Sequence, residues 1–150
     1  MWDKIRDKLG LAYTVMSGHE SYSNRGYLTT YAGVDHKNVE KTISAALEEY
    51  KKICDEPIAT EELKRVKDYI RGTTLIGLEA SNAVASFVGM EEMVTGKPMT
   101  VEEVFAKIDA VTPEDIQDAA RDMMKPERLN LALIGPFKDK TTLGKILGDF

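Results

Sequence analysis

Apolar residues in this chain switch between helical and strand spacing, and the first switch falls within the opening dozen positions. The pattern predicts the tail of a helix over residues 1–9, where apolar side chains recur at helical spacing: Trp2, Ile5 and Leu9. Gly10 ends this helix, because glycine takes the left-handed cap conformation without a steric penalty. Residues 11–22 and 26–34 then predict two antiparallel strands around the turn 23–26.

The middle of the chain has helical periodicity. A helix is predicted over about 36–55, with Asp35 as its N-cap. Its apolar face is formed by Val39, Ile43, Leu47, Tyr50 and Cys54. A longer helical stretch begins after Thr60 and ends at the segment 95–98. Glycines within that stretch predict a kink or a break: Gly72, Gly77 and Gly89.

The last third of the chain predicts shorter elements. Thr100 and Glu103 form a capping box for one helix, and Pro113 starts the next. The near-continuous apolar run 129–134 predicts a central, covered strand, and a short helix begins at Thr141. Helices packed on one face of a small, mostly antiparallel sheet make this an α+β chain with a two-layer α/β sandwich architecture.

The composition is that of a globular chain. No repeat, linker or low-complexity segment divides the 150 residues, which predicts a single domain over 1–150. A net charge of −5 argues against a nucleic-acid-binding protein, which would carry a basic patch. No apolar run is long enough to span a bilayer and the segment 1–4 does not resemble a signal peptide, so a cytoplasmic location without membrane contact is expected.

The most informative motif is an arginine, Arg6, followed by a tyrosine, Tyr13, on the other side of the break at Gly10. A reversal from helix to strand can bring the phenol beside the guanidinium. A fixed cation and a phenolic hydroxyl that point into one space can hold a peptide carbonyl and stabilise an oxyanion. By spacing alone, such a pair more often belongs to an ordinary helix-to-strand turn with a surface arginine and a strand tyrosine.

The segment Ile5–Val15, I-R-D-K-L-G-L-A-Y-T-V, resembles the arginine–tyrosine motif of the insulinase-type, or pitrilysin-like, zinc metallopeptidases. That family includes the mitochondrial processing peptidases and their bacterial relatives. Further segments resemble the family's following hairpin, the start of its long helix and its closing part, in that order: 22–27 and 31–33, then 60–63, then 109–116, 126–129 and 134–136. Because the ordered set runs over nearly the whole chain, it is more specific than any one piece.

The resemblance implies the non-zinc, arginine–tyrosine lobe of such a peptidase. Tyr13 would donate a hydrogen bond to the tetrahedral oxyanion, and Arg6 would fix a backbone carbonyl of the bound peptide. A separate lobe or subunit with an H-x-x-E-H motif would carry the zinc, so no cofactor is expected in this chain. The first strand could also hold an extended peptide substrate by β-augmentation. Its candidate substrate-binding residues are Ala12, Thr14, Val15, Met16 and Ser17.

No metal site is predicted within the chain. Zinc peptidases of the resembled family use an inverted H-x-x-E-H helix and a distant glutamate. Neither His19 nor His36 stands in such a pattern. The only cysteine, Cys54, lies on an apolar helix face without a nearby base, which favours a core position over a nucleophile.

The resemblance begins in the middle of a lobe. A fragment, a truncated reading frame and an unusual short member are all compatible with that beginning. A lobe without its first strand exposes a sheet edge, which predicts a homo-oligomer in isolation or a partner that restores the lobe. Two other functions stay open: a non-catalytic structural module, as in the related core subunits of respiratory complexes, and a peptide-binding domain without a partner enzyme.

Overall fold

A helical turn, a β-hairpin and a series of helices make up the computed structural model, which describes residues 1–137 and 141–148. The N-terminal π-helix is Trp2–Lys8, and the strands are β1 (Ala12–Ser21) and β2 (Gly26–Val34). The α-helices are α1 (Val39–Asp55), α2 (Thr60–Gly77), α3 (Ser81–Thr95), α4 (Val101–Ala110), α5 (Pro113–Met123) and α6 (Thr141–Gly148). Short 3-10 turns lie at His36–Asn38 and Pro126–Arg128. The expected α+β class is confirmed, with an antiparallel sheet of two strands among the described residues.

The chain divides into two compact units. The first comprises Met1–Glu56 with the described part of Gln117–Phe150, and the second comprises Pro57–Ile116. The arginine–tyrosine motif and the hairpin both lie in the first unit. The single domain expected from the sequence stays a prediction. No helix in the described part of the chain is both long and apolar enough to cross a membrane.

The core of the first unit joins three elements. Ile5 from the N-terminal π-helix, Ala12 and Val15 from β1, and Ala45 from α1 form one buried cluster. Ile5 has no exposed surface and Val15 is 2% exposed. Because Ala45 is small, α1 can lie close to the sheet. This packing fixes the N-terminal π-helix and the start of β1 against the same helix.

The second unit is held together where α2 meets the end of α4. The ammonium group of Lys67 on α2 donates hydrogen bonds to the carbonyl oxygens of Asp109, at 2.8 Å, and Val111, at 2.6 Å. Arg71, one helical turn later, pairs with the Asp109 carboxylate at 2.6 Å and covers the ring of Phe105 at 4.5 Å. Lys67 thus satisfies carbonyl groups that the end of α4 leaves without helical partners, and Arg71 adds a side-chain ion pair at the same place.

Local capping signals are confirmed. The Glu103 N–H donates to Thr100 Oγ1 at 3.2 Å, and the Thr100 N–H donates to the Glu103 carboxylate at 2.8 Å, so α4 has the predicted capping box. The long helical stretch breaks after Gly77, where α2 ends, whereas Gly72 lies inside a continuous helix. Asp35 accepts the Lys37 N–H at 3.1 Å and thus caps the 3-10 turn that leads into α1.

The prediction of a central, covered strand over 129–134 is wrong. The segment has no regular structure, and Ile134 is fully exposed to solvent. A strand needs neighbours for its backbone N–H and C=O groups, and the described sheet consists of β1 and β2 alone. The apolar run therefore has β-forming residues but no ladder partner in the described part of the chain.

The apolar face predicted for residues 1–9 also differs from the structure. Ile5 is buried as expected, but Trp2 and Leu9 are 43% and 49% exposed. The segment is a π-helix with a wider turn than an α-helix: the Leu9 N–H donates to the carbonyl oxygen of Lys4, five residues earlier, at 3.0 Å. Sequence spacing read on an α-helical wheel does not anticipate that widening.

The Ile5→Ala variant is expected to lower the free energy of unfolding by roughly 2–5 kcal/mol, because it leaves a cavity where three elements meet. Urea unfolding followed by circular dichroism measures the change. Ile53→Ala is the matched control, because Ile53 on α1 is 44% exposed and should lose far less. Equal losses in the two variants would contradict the placement of the core at Ile5.

Candidate functional site

Arg6 lies on the exposed side of the N-terminal π-helix. It directly follows the buried Ile5, which fixes the backbone at this point. The guanidinium carbon lies over the ring of Trp2, 4.2 Å from its centroid. Among the described residues the guanidinium has no carboxylate partner, and the Asp3 carboxylate of the same helix binds Lys8 Nζ at 2.7 Å instead. Arg6 therefore presents a full positive charge to solvent.

The reversal after the N-terminal π-helix is built on Gly10. Its φ of +59° lies in the left-handed region, where a side chain would be strained. The Gly10 N–H donates to the carbonyl oxygen of Arg6 at 3.1 Å, and the Leu11 N–H donates to that of Ile5 at 3.0 Å. The predicted helix end at Gly10 is confirmed, and the chain returns along the helix into β1.

Tyr13 is the extra residue of a β-bulge. Ala12 pairs with Val34 and Thr14 with Gly33, so Tyr13 has no partner of its own in β2. Residues three positions apart lie on opposite faces of a regular strand. The bulge explains why Ala12 and Val15, which have this spacing, are both buried. The tyrosine side chain is 83% exposed. Its hydroxyl makes no hydrogen bond within residues 1–137 and 141–148, so the phenolic proton is available to a ligand.

The backbones of Arg6 and Tyr13 are held by the same buried cluster, but their side chains do not bond to each other in the described part of the chain. Each follows a residue of the same buried cluster, Ile5 and Ala12 respectively. No hydrogen bond connects the guanidinium with the phenol in the described part of the chain. The pair therefore offers two separate donors, one cationic and one neutral, which a bound peptide could contact at two of its oxygen atoms. Their catalytic roles stay a prediction.

The candidate substrate-binding residues of β1 fall into two groups. Ala12 and Val15 are buried, so only their backbone groups could contact a peptide. Met16 is 60% exposed, Ser17 is exposed and Thr14 is half-buried. Ser17 Oγ lies 2.8 Å from Thr30 Oγ1 on β2, which ties one edge of β1 to its neighbour. The other edge of β1 pairs with no strand among the described residues.

Two exposed tyrosines of β2 lie on the side of the hairpin that faces away from α1. Tyr31 pairs with Met16, and Tyr27 pairs with Glu20, and these tyrosines are 59% and 53% exposed. Desolvation, together with the nearby Tyr22 and Glu20, raises the pKa of Tyr27. We call the surface formed by Met16, Tyr27 and Tyr31 the tyrosine face. Sequence reasoning did not assign these tyrosines a role, although their alternate spacing in a strand was a signal for a shared face.

Ion pairs tie the N-terminal π-helix to α1. Lys4 Nζ lies 2.8 Å from the Glu48 carboxylate and 3.3 Å from that of Glu49. Partial burial raises the pKa of Glu49, but hydrogen bonds from Lys4 and from the amino group of Met1 outweigh the burial and lower its pKa overall. The element that carries Arg6 is thus fixed by buried apolar contacts on one side and by ion pairs on another.

The described residues contain no group of three or more His, Cys, Asp or Glu side chains that could hold a metal ion. His19 lies in β1. His36 begins the 3-10 turn before α1, where its Nδ1 lies 3.2 Å from the Asp35 carboxylate. The side chains of Arg6 and Tyr13 can serve as hydrogen-bond donors.

This chain is similar to several zinc proteases. A family model described as the peptidase M16 inactive domain matches residues 1–70. An uncharacterized zinc protease of Streptomyces coelicolor is 31% identical over 140 residues, 93% of this chain and 30% of the relative. An uncharacterized zinc protease of Bacillus subtilis is 31% identical over 91% of this chain and 33% of the relative.

A more distant relative and one solved structure extend the comparison. The mitochondrial-processing peptidase subunit beta of Saccharomyces cerevisiae is 29% identical over 83% of this chain and 28% of its own length. A chain of complex III2 from Candida albicans superposes with a TM-score of 0.69 at 22% identity, over 79% of this chain and 28% of that chain. The structural likeness concerns the fold. This chain spans about a third of the length of the curated relatives it matches.

Glu49→Gln is expected to change how stability depends on pH. Since the pKa of Glu49 is lowered on folding, its carboxylate stabilises the fold above its ordinary value of 4.5, and this contribution is lost as the pH falls through the lower folded value. The wild type should therefore exceed the variant in melting temperature at neutral pH and converge with it in acid. Glu127 is exposed and forms no ion pair with the described residues, so the melting temperature of Glu127→Gln should depend on pH in the same way as that of the wild type. Parallel curves for Glu49→Gln as well would exclude this role of the ion pair.

Gly10→Ala is expected to lower the free energy of unfolding by roughly 1–2 kcal/mol, because an L-residue is strained at this φ. Gly72→Ala is the control, and it should change the free energy of unfolding in the opposite direction. Gly72 lies inside α2, where an added Cβ meets nothing within 4 Å, so the change should stabilise the chain by about 0.5–1 kcal/mol. Chemical denaturation of both variants measures the difference, and a neutral Gly10→Ala would contradict the strained reversal.

Proposed function

Since this chain belongs to the peptidase M16 family, we propose that it forms the substrate-binding and oxyanion-stabilising lobe of a zinc metalloendopeptidase. The observation that carries the proposal is the arrangement of Arg6 and Tyr13. Each directly follows a residue of one buried cluster. The hydrogen-bond donors of both side chains are exposed to solvent and bond to no described residue. A peptide carbonyl could replace the solvent water that these exposed donors otherwise bind.

The proposed chemistry is the hydrolysis of a peptide bond. Attack of water on the carbonyl carbon moves negative charge onto the carbonyl oxygen, and the Tyr13 hydroxyl donates a hydrogen bond to that oxyanion. Arg6 donates to a neighbouring backbone carbonyl and keeps the peptide in place, through a charge-assisted hydrogen bond. A partner lobe with an H-x-x-E-H motif would provide the zinc and the general base, which the described residues of this chain do not contain.

The substrate class we propose is an extended peptide. The edge of β1 that pairs with no strand in the described part of the chain offers backbone N–H and C=O groups to a peptide that adds as a further strand. Side chains of that peptide would alternate between the two sides of the sheet. One set could then contact the tyrosine face, which favours apolar and aromatic side chains at those positions.

A non-catalytic role is the second candidate, and the exposed tyrosine face is the observation that favours it. An aromatic surface of this kind is also typical of contacts between protein subunits. In that case the chain would serve assembly, or would bind peptides without cleaving them. A cytoplasmic homo-oligomer is the form we expect if the chain has no zinc-bearing partner.

The isolated chain is expected to bind no stoichiometric zinc and to hydrolyse no peptide, because the described residues hold no ligand set. Elemental analysis of the purified protein and a fluorogenic peptide assay measure the two properties. Stoichiometric zinc together with a peptidase activity that a chelator abolishes would contradict this expectation.

Tyr13→Phe is expected to lower kcat by about 10²–10³ with little change in KM when the chain is assayed with a zinc-bearing H-x-x-E-H partner, because the hydrogen bond forms mainly in the transition state. Arg6→Ala should raise KM as well, since the arginine also holds the bound substrate. Tyr69→Phe and Arg65→Ala on the exposed side of α2 are matched controls and should keep kcat/KM. If Tyr13→Phe and Arg6→Ala also keep the parental kcat/KM, the motif is structural.

A further inference from the structure

We infer that Trp2 is a positioning residue for Arg6: its indole ring holds the guanidinium in the exposed, uncompensated state in which it can bind the oxygen atoms of a peptide. The inference rests on the proposed function for its effect on catalysis. The contact between Trp2 and Arg6 can be tested separately on the chain alone.

The geometry of the contact carries the first step. The guanidinium carbon of Arg6 lies 4.2 Å from the centroid of the Trp2 ring, well within the range of a cation–π interaction. Tryptophan has the strongest ring quadrupole of the aromatic residues, so it is the best neutral partner for a guanidinium. The contact restricts a long side chain that would otherwise sample many rotamers, and it does so without neutralising the charge.

The second step concerns the carboxylates of the N-terminal π-helix. Asp3 binds Lys8 at 2.7 Å across the five-residue spacing that a π-helix brings together. Neither Asp3 nor Asp7, the two carboxylates of this helix, pairs with the Arg6 guanidinium, which forms no ion pair in the described part of the chain. An ion pair would use the N–H donors of the guanidinium, whereas contact with a ring face leaves them free to donate. On this helix, Lys8 pairs with Asp3, whereas the N–H groups of the Arg6 guanidinium stay available to a ligand.

Trp2 is the only tryptophan of the chain, so its fluorescence reports this contact directly. Arg6→Ala should change the emission of Trp2 and increase its quenching by acrylamide, because the guanidinium no longer covers the ring. Arg65→Ala removes the same charge from α2 and should leave both signals unchanged. Identical emission and quenching in the wild type and Arg6→Ala would overturn the inference whatever the chain's function is.

The effect on catalysis is measured with a zinc-bearing H-x-x-E-H partner and a fluorogenic peptide. Trp2→Leu should raise KM by about 2- to 5-fold with kcat nearly unchanged, as expected for the loss of one exposed cation–π contact. Trp2→Phe keeps an aromatic face and should restore most of the wild-type KM. In an Arg6→Ala background, Trp2→Leu should have no further effect.

The outcomes separate this inference from the proposed function. If Arg6→Ala itself leaves kcat/KM unchanged, the proposed function fails, and the fluorescence comparison still decides whether Trp2 holds Arg6. If Arg6→Ala impairs the reaction and Trp2→Leu does not, the positioning role is overturned. It is equally overturned if Trp2→Leu raises KM by the same factor with and without Arg6, because the tryptophan then acts through general stability.

Discussion

The burial of Ile5, Ala12, Val15 and Ala45 in one cluster is the constraint on which the candidate site depends. The cluster joins the N-terminal π-helix, β1 and α1, and it is made of small and medium-sized side chains that allow close approach. Two of its members directly precede the residues of the motif. The core therefore determines where the backbones of Arg6 and Tyr13 lie, while the side chains of both residues extend into solvent.

Elements that depend on local chemistry could be predicted from the sequence. The hairpin, the reversal at Gly10 and the capping box of Thr100 and Glu103 each follow from residues within a few positions of one another. The break after Gly77 belongs to the same class. Arg6 and Tyr13 became candidates because the short segment 5–15 resembles a family motif, whereas their spacing alone favoured an ordinary turn.

Features that depend on distant partners could not be predicted. The run 129–134 has the composition of a central strand, but its conformation is decided by neighbours that composition does not reveal. The N-terminal segment is a second case, because it forms a π-helix in which Trp2 lies over Arg6 and not in the core with Ile5. Spacing read on an α-helical wheel would have assigned that tryptophan to packing alone.

The β-bulge at Tyr13 reconciles two demands that a regular strand could not meet. In an undistorted strand, residues two apart share a face, so a buried Val15 would turn Tyr13 toward the core and Ala12 toward solvent. The extra residue reverses this relation, and Ala12 is buried while Tyr13 is 83% exposed. Gly33 opposite the bulge contributes as well, since a Cβ there would lie 3.3 Å from the Thr14 side chain. Core packing and an accessible phenol are therefore compatible only because β1 carries one residue more than β2 at this point.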